Sequence, residues 1–145
     1  MSDLQKVFFI QDKGNSSYET ESLWCIKTGE YLKIDNIPFV AKRVALGDII
    51  KAEFDKSDGL YYFESFVEVS GNSTVRLYFN DGSKIQSTAD DLTKMGCKGE
   101  ILPQKNILAI NIPKEVLYLP IKNFLEAGFL EGKRDYEEAC LCHEY

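Results

Sequence analysis

The segment that most constrains the fold runs from Leu60 to Phe79, LYYFESFVEVSGNSTVRLYF, where two runs rich in Val, Phe, Tyr and Thr flank a short polar stretch. That stretch, Ser70-Gly71-Asn72-Ser73, has the composition of a hairpin loop, so the segment predicts a β-hairpin. Arg76 in the second run is expected on the exposed face, paired across the hairpin with Glu64 or Glu68. Three apolar side chains of that run alternate with the others and are expected on the buried face: Val75, Leu77 and Phe79.

The residues before this segment predict strands only. Pro38 ends one of them, because proline cannot donate a hydrogen bond to a sheet. Short strands at regular spacing indicate a bent antiparallel sheet or half-barrel, with Trp24 packed in its interior. The predicted strands are Lys6–Ile10, Glu19–Lys27, Tyr31–Ile34 and Ile49–Phe54.

The second half of the chain changes period. Its predicted order of strand, helix, two strands, helix and strand is the ferredoxin-like pattern. We therefore predict an α+β fold in a single domain, 1–145, with a mostly-β subdomain at 18–72 and a ferredoxin-like subdomain at 73–141. The predicted elements are strand Thr74–Phe79, helix Thr88–Met95, strands Lys98–Leu102 and Ile107–Ile112, helix Pro120–Ala127 and strand Asp135–Leu141.

Charge and composition narrow the classes of partner. The chain has 145 residues, with 17 basic and 23 acidic side chains and a net charge of −6. Such a field repels a phosphate backbone, so we predict no nucleic-acid partner. The sequence has no export signal and no apolar run long enough to span a membrane, which predicts a cytoplasmic protein with no membrane partner. Reduced thiols are then expected at all four cysteines, Cys25, Cys97, Cys140 and Cys142.

The end of the chain holds the one cluster of metal-ligand types, Cys140-Leu141-Cys142-His143. A closed zinc site needs four ligands, usually in two separated pairs, and this cluster offers three. His143 is also the single histidine of the chain, which argues against a catalytic triad. We interpret the cluster as a frayed tail with two incidental thiols, and predict no metal, no cofactor and no enzymatic activity.

At this point the residues resemble a known family. The segments IDNIPFVAKRVALGDIIKAEF, YYFESFVEVSGNSTVRLYF, MGCKGE and DYEEA, in that order, are similar to the bacterial family of domain of unknown function 4265. The resemblance extends from about Leu23 to Ala139, and its most specific parts are Ile37-Pro38-Phe39, Gly47-Asp48-Ile49 and the residues from Ser70 to Arg76. The family usually has His where this chain has Asn72. The small acidic members of this family resemble immunity proteins that are encoded beside polymorphic toxins.

Two acidic groups and two tyrosines are candidates for a protein interface. Tyrosines beside acids add apolar contact area at small entropic cost, and clustered acids suit a basic partner. The alternative interpretations are ordinary solvation for the acids and core packing for the rings. The toxin-interface candidates are Glu53, Asp55, Asp58, Tyr61, Tyr62, Glu64, Asp135, Glu137 and Glu138.

These observations favour an immunity protein that binds a cognate toxin domain through a basic cleft of the toxin and occludes its active site. A small-ligand or regulatory binding module is the alternative. An enzyme is the third hypothesis, and it would depend on Cys97, Cys140 or His143.

Overall fold

The computed structural model describes residues 3–144 and contains two sheets of similar size. The first five strands form one sheet that closes on itself, so the structure goes beyond the predicted half-barrel. This barrel begins at Leu4, earlier than position 18. Its strands are β1 (Leu4–Gly14), β2 (Ser17–Thr28), β3 (Tyr31–Ile34), β4 (Ile49–Asp55) and β5 (Leu60–Glu68).

One parallel pair closes the barrel. Val7 of β1 lies opposite Tyr61 of β5, whereas every other neighbouring pair of barrel strands is antiparallel. Strict alternation along β2 turns Leu23 and Cys25 into the core. Trp24 lies between them and therefore points outward, 43% exposed, so its predicted interior position is wrong.

The second sheet has four antiparallel strands in the order β7-β8-β6-β9, with two helices on one face. The mixed α+β class is thereby confirmed. Apolar side chains from β6, β8 and both helices form one core on the helix side. The elements are β6 (Ser73–Phe79), α1 (Ile85–Lys94), β7 (Lys98–Leu102), β8 (Ile107–Ile112), α2 (Tyr118–Leu130) and β9 (Arg134–Cys140).

The predicted hairpin is wrong, although both of its strands exist. β5 pairs with β4 and β1 in the barrel, whereas β6 pairs with β8 and β9 in the second sheet. Residues 69–72 are therefore the connection between the two sheets rather than a hairpin loop. Composition identifies a strand, but its partner depends on which other strands complete each sheet.

Both helices extend beyond their predicted limits. α1 begins at Ile85 after a short 3₁₀ turn, and α2 continues past Gly128, where the sequence predicted its end. Position 128 is inside the helix and admits only glycine, because the guanidinium of Arg134 occupies the place of a β-carbon. An ideal Cβ at Gly128 would be 2.3 Å from Arg134 Cζ.

The face of the second sheet opposite the helices is covered by residues 35–48, which connect β3 to β4. Arg76 projects from β6 into this connection and is 1% exposed. Its guanidinium donates hydrogen bonds to the carbonyl oxygens of Pro38 (3.3 Å), Val40 (3.2 Å) and Ala41 (3.1 Å). The predicted exposed position of Arg76 is therefore wrong, because the connection takes the place of water on this face.

The barrel holds the same connection from its other side. The carboxylate of Glu21 in β2 accepts hydrogen bonds from the backbone N–H groups of Phe39 (2.8 Å), Val40 (2.9 Å) and Ala41 (2.8 Å). We call residues 38–41 with Glu21 and Arg76 the junction. Its N–H groups face one sheet and its carbonyl oxygens face the other, so each sheet supplies the charge that the backbone requires.

We expect Arg76→Met to lower the free energy of unfolding by about 3 kcal/mol, because it leaves three carbonyl oxygens without their side-chain donor and removes one donor from the carboxylate of Glu137. Urea denaturation followed by circular dichroism measures the change. Lys51→Met is the control, since it removes a charge from an exposed position of β4. A loss no larger than that of the control would show that the junction does not hold the sheets together.

Candidate interaction surface

Four of the nine predicted interface residues meet on the outer wall of the barrel. Glu53 of β4 lies directly opposite Tyr62 of β5, and Tyr62 donates a hydrogen bond of 2.6 Å to Asp58. An open hollow of about 670 Å³ is lined here by Glu53, Asp55 and Tyr62 together with Ile10, Phe54 and Lys56. We call these residues, with Asp58, the β4–β5 wall.

Local hydrogen bonds fix the charges of the wall. The Ser57 hydroxyl and backbone N–H donate to Asp55 at 2.6 Å and 2.8 Å and lower the pKa of this carboxyl. The bond to Asp58 raises the pKa of Tyr62, which keeps the phenol protonated. At neutral pH the wall therefore presents carboxylates and a neutral hydrogen-bonding ring.

Apolar surface lies beside these charges. Ile10 is 55% exposed and Phe54 is 47% exposed. The Phe54 ring contacts that of Tyr61, with centroids 5.0 Å apart, and Tyr61 also packs against the barrel core. Glu64 is exposed at a bulge of β5. Tyr61 is thus largely a packing residue, whereas Glu64 adds a further free carboxylate on the same strand.

The second acidic group is divided between opposite faces of β9. Glu137 faces the junction, where it accepts hydrogen bonds from Arg76 (3.0 Å) and Tyr78 (2.9 Å). Glu138 faces the helices and forms an ion pair of 3.2 Å with Lys122. Asp135 is exposed. Glu137 and Glu138 therefore make contacts inside the protein, and only Asp135 is exposed. The number of acids in the sequence cannot tell internal carboxylates from exposed ones.

Hydrogen bonding decides the ionisation of Glu137. Burial alone would raise its pKa, but the bonds from Arg76 and Tyr78, with the charges of Arg76 and Lys42, outweigh that effect and lower it. The carboxylate is therefore held ionised at the junction.

Cys142 and His143 are anchored by hydrogen bonds, so the prediction that they belong to a frayed tail is wrong. The Cys142 N–H donates to the Ser73 hydroxyl at 2.8 Å, and His143 Nδ1 lies 2.6 Å from the same oxygen. His143 Nε2 lies 2.8 Å from the carbonyl oxygen of Pro113. A carbonyl accepts only, so Nε2 carries the proton, and Ser73 donates to Nδ1. Ser73 is completely buried. The alternation of apolar and polar residues in the sequence did not predict that its hydroxyl contacts Cys142 and His143.

Three of the four thiols are held in their protonated form by burial. Burial raises the pKa of Cys25 to about 12 and of Cys97 to about 11, and burial followed by Cys142 raises that of Cys140 to about 12. All four cysteines are free. Within residues 3–144 no three His, Cys, Asp or Glu side chains are grouped so that they could hold a metal ion.

We expect Glu137→Gln to make the protein less stable than the wild type at neutral pH. Because folding lowers the pKa of Glu137, its carboxylate stabilises the fold above the ordinary glutamate pKa of about 4.3, and this contribution disappears as the pH falls through the lower folded value. The gap in melting temperature should therefore narrow below about pH 4. A gap that does not change with pH would show that the charge of Glu137 has no part in it.

Comparison with known proteins identifies the family. No helix in residues 3–144 is long and apolar enough to cross a membrane. Among curated proteins, none matches the chain. A crystal structure of a hypothetical protein from Neisseria gonorrhoeae is similar in fold, with a TM-score of 0.81, 23% identity and 94% coverage of each chain. The family model described as domain of unknown function (DUF4265) matches residues 21–136, and the chain therefore belongs to that family.

Proposed function

We propose that this protein is a cytoplasmic, non-enzymatic immunity protein that binds a cognate bacterial toxin domain and occludes its active site. The observation that carries the proposal is the β4–β5 wall, where carboxylates, a tyrosine and the exposed side chain of Ile10 share one open concave surface. Such a surface suits a partner whose active-site cleft is basic.

The charge of the wall would act on the rate of association. An acidic surface on a chain of net charge −6 attracts a basic cleft over several ångströms and orients the encounter. A toxin domain that binds nucleic acid or a nucleotide has such a cleft, because it must hold phosphate groups.

The apolar members of the wall would act on the rate of dissociation. Ile10 offers area that a partner can exclude from water, and Tyr62 adds an amphipathic ring. Because the wall is built on paired strands of a closed sheet, these side chains are held in place before binding, which limits the entropy lost on association.

The second half contributes a scaffold for which we propose the ferredoxin-like arrangement. Support comes from the element order, β6-α1-β7-β8-α2-β9, and from the strand order, in which the first and third strands of that series are central. Both helices pack on one face, as two split β-α-β units require.

Co-expression with the product of each adjacent gene tests the function. We expect one neighbour to be toxic alone, to be neutralised by this protein and to co-purify with it. If no neighbouring product is either bound or neutralised, the protein is not an immunity protein for that locus.

Charge reversal tests the surface. We expect Glu53→Arg with Glu64→Arg to slow association with the toxin at least tenfold at low salt, because both carboxylates are exposed on β4 or β5, the strands that form the wall, and neither forms an ion pair within residues 3–144. Stopped-flow or surface plasmon resonance measures the rate. Glu115→Arg with Glu144→Arg is the matched control, since it changes the net charge equally on the second half of the chain. Equal effects of the two pairs would place the interface elsewhere.

A further inference from the structure

A buried cation lies between the second sheet and its helices without a carboxylate in contact. Arg134 is 8% exposed, yet within residues 3–144 it forms one hydrogen bond, from Nη2 to the carbonyl oxygen of Phe124 at 3.3 Å. Its Nε is buried without a partner, and no acidic side chain lies within ion-pair distance. A buried charge is costly unless it is paired, so this arrangement needs a reason.

The position of the guanidinium is specified by its neighbours. One flat face lies over the Phe124 ring, with Arg134 Cζ 4.8 Å from the ring centroid. Gly128 lies against the guanidinium as well, where any side chain would collide with it. A glycine inside a helix costs about 1 kcal/mol relative to alanine. Gly128 therefore makes α2 less stable, but it leaves room for the Arg134 guanidinium.

An open groove adjoins the guanidinium. It has a volume of about 650 Å³, lies between α1 and α2, and has apolar lining from Phe79, Phe124 and Ala127 as well as Arg134. Five further charged side chains line the groove, and Arg134 differs from them in being buried: Asp81, Lys84, Asp91, Glu131 and Lys133. A concave surface in which apolar side chains adjoin a buried charged group is suited to a small molecule.

The acids around the groove do not neutralise Arg134 by contact. Glu131 is paired with Lys133 at 2.7 Å, and Asp81 accepts hydrogen bonds from Ser83. Asp91 of α1 also lines the groove and, like Glu131, acts on Arg134 only through space. Among the described residues, no acidic side chain is thus in contact with the Arg134 guanidinium.

We propose that this groove binds an organic monocarboxylate with an apolar body, whose carboxylate accepts hydrogen bonds from the Arg134 guanidinium and whose body packs on Phe124 and Ala127. The guanidinium is the side chain best matched to a planar carboxylate. A monoanion is favoured over a phosphate dianion, because three acids line the groove against two lysines. Any negative charge beyond the one that Arg134 neutralises is therefore repelled.

Titration of the full chain with sodium benzoate, monitored by amide NMR, tests the site. We expect saturable shifts at Phe124, Gly128 and Arg134 that inorganic phosphate or chloride at equal ionic strength does not reproduce. Shifts of the same size with phosphate would overturn the carboxylate specificity, and the absence of saturable shifts would overturn the site. Neither result depends on a toxin partner.

Variants separate the site from a structural role of Arg134. Arg134→Gln should weaken benzoate binding at least tenfold, whereas Lys51→Gln, which removes an equal charge from β4, should leave it unchanged. Asp91→Asn should tighten binding without lowering the melting temperature, because it removes a repulsive charge. A lower melting temperature without tighter binding would instead make Asp91 the counter-ion and overturn the proposal. This second variant decides the question even where Arg134→Gln fails to fold.

Discussion

A short stretch of backbone, residues 38–41, joins the two halves of the molecule, and the rest of the structure depends on it. Its N–H groups bind the carboxylate of Glu21 in the barrel, and its carbonyl oxygens bind the guanidinium of Arg76 in the second sheet. Both charges are thus satisfied largely by peptide dipoles, with Glu137 adding a partial counter-charge to Arg76. Such an arrangement is directional, so it fixes the orientation of one sheet relative to the other more tightly than apolar packing does.

Two hollows lie on the outside of the molecule, away from the junction. The β4–β5 wall belongs to the barrel and carries acids, whereas the α1–α2 groove belongs to the second sheet and contains a buried cation. The proposed protein partner and the proposed carboxylate would therefore bind to separate parts of one small chain, whose stability comes from the junction and the two cores.

The sequence predicted local structure better than it predicted partners. The limits of β3, β7 and β8 and the α+β class agree with the structure, because period and composition determine whether a segment is extended. The hairpin failed because β5 and β6 belong to different sheets. Arg76 and Trp24 failed for a related reason: alternation separates two faces of a strand but does not say which face meets another part of the chain. The groove at Arg134 could not be predicted from the sequence. It depends on Gly128 lying inside α2, whereas a glycine at the end of an apolar helical segment predicts the end of the helix.

The way in which the barrel closes determines how anything can attach to it. The barrel closes through two residue pairs between β1 and β5, Val7 with Tyr61 and Phe8 with Tyr62. β1 and β2 remain paired with each other far beyond this closure, as far as Gly14 and Ser17, and β3 pairs with β2 only from Cys25 to Thr28. Among the described residues, the far part of this two-stranded ribbon therefore has no further strand beside it. An added strand could pair with the ribbon there, as it could with β7 and β9, the terminal strands of the second sheet.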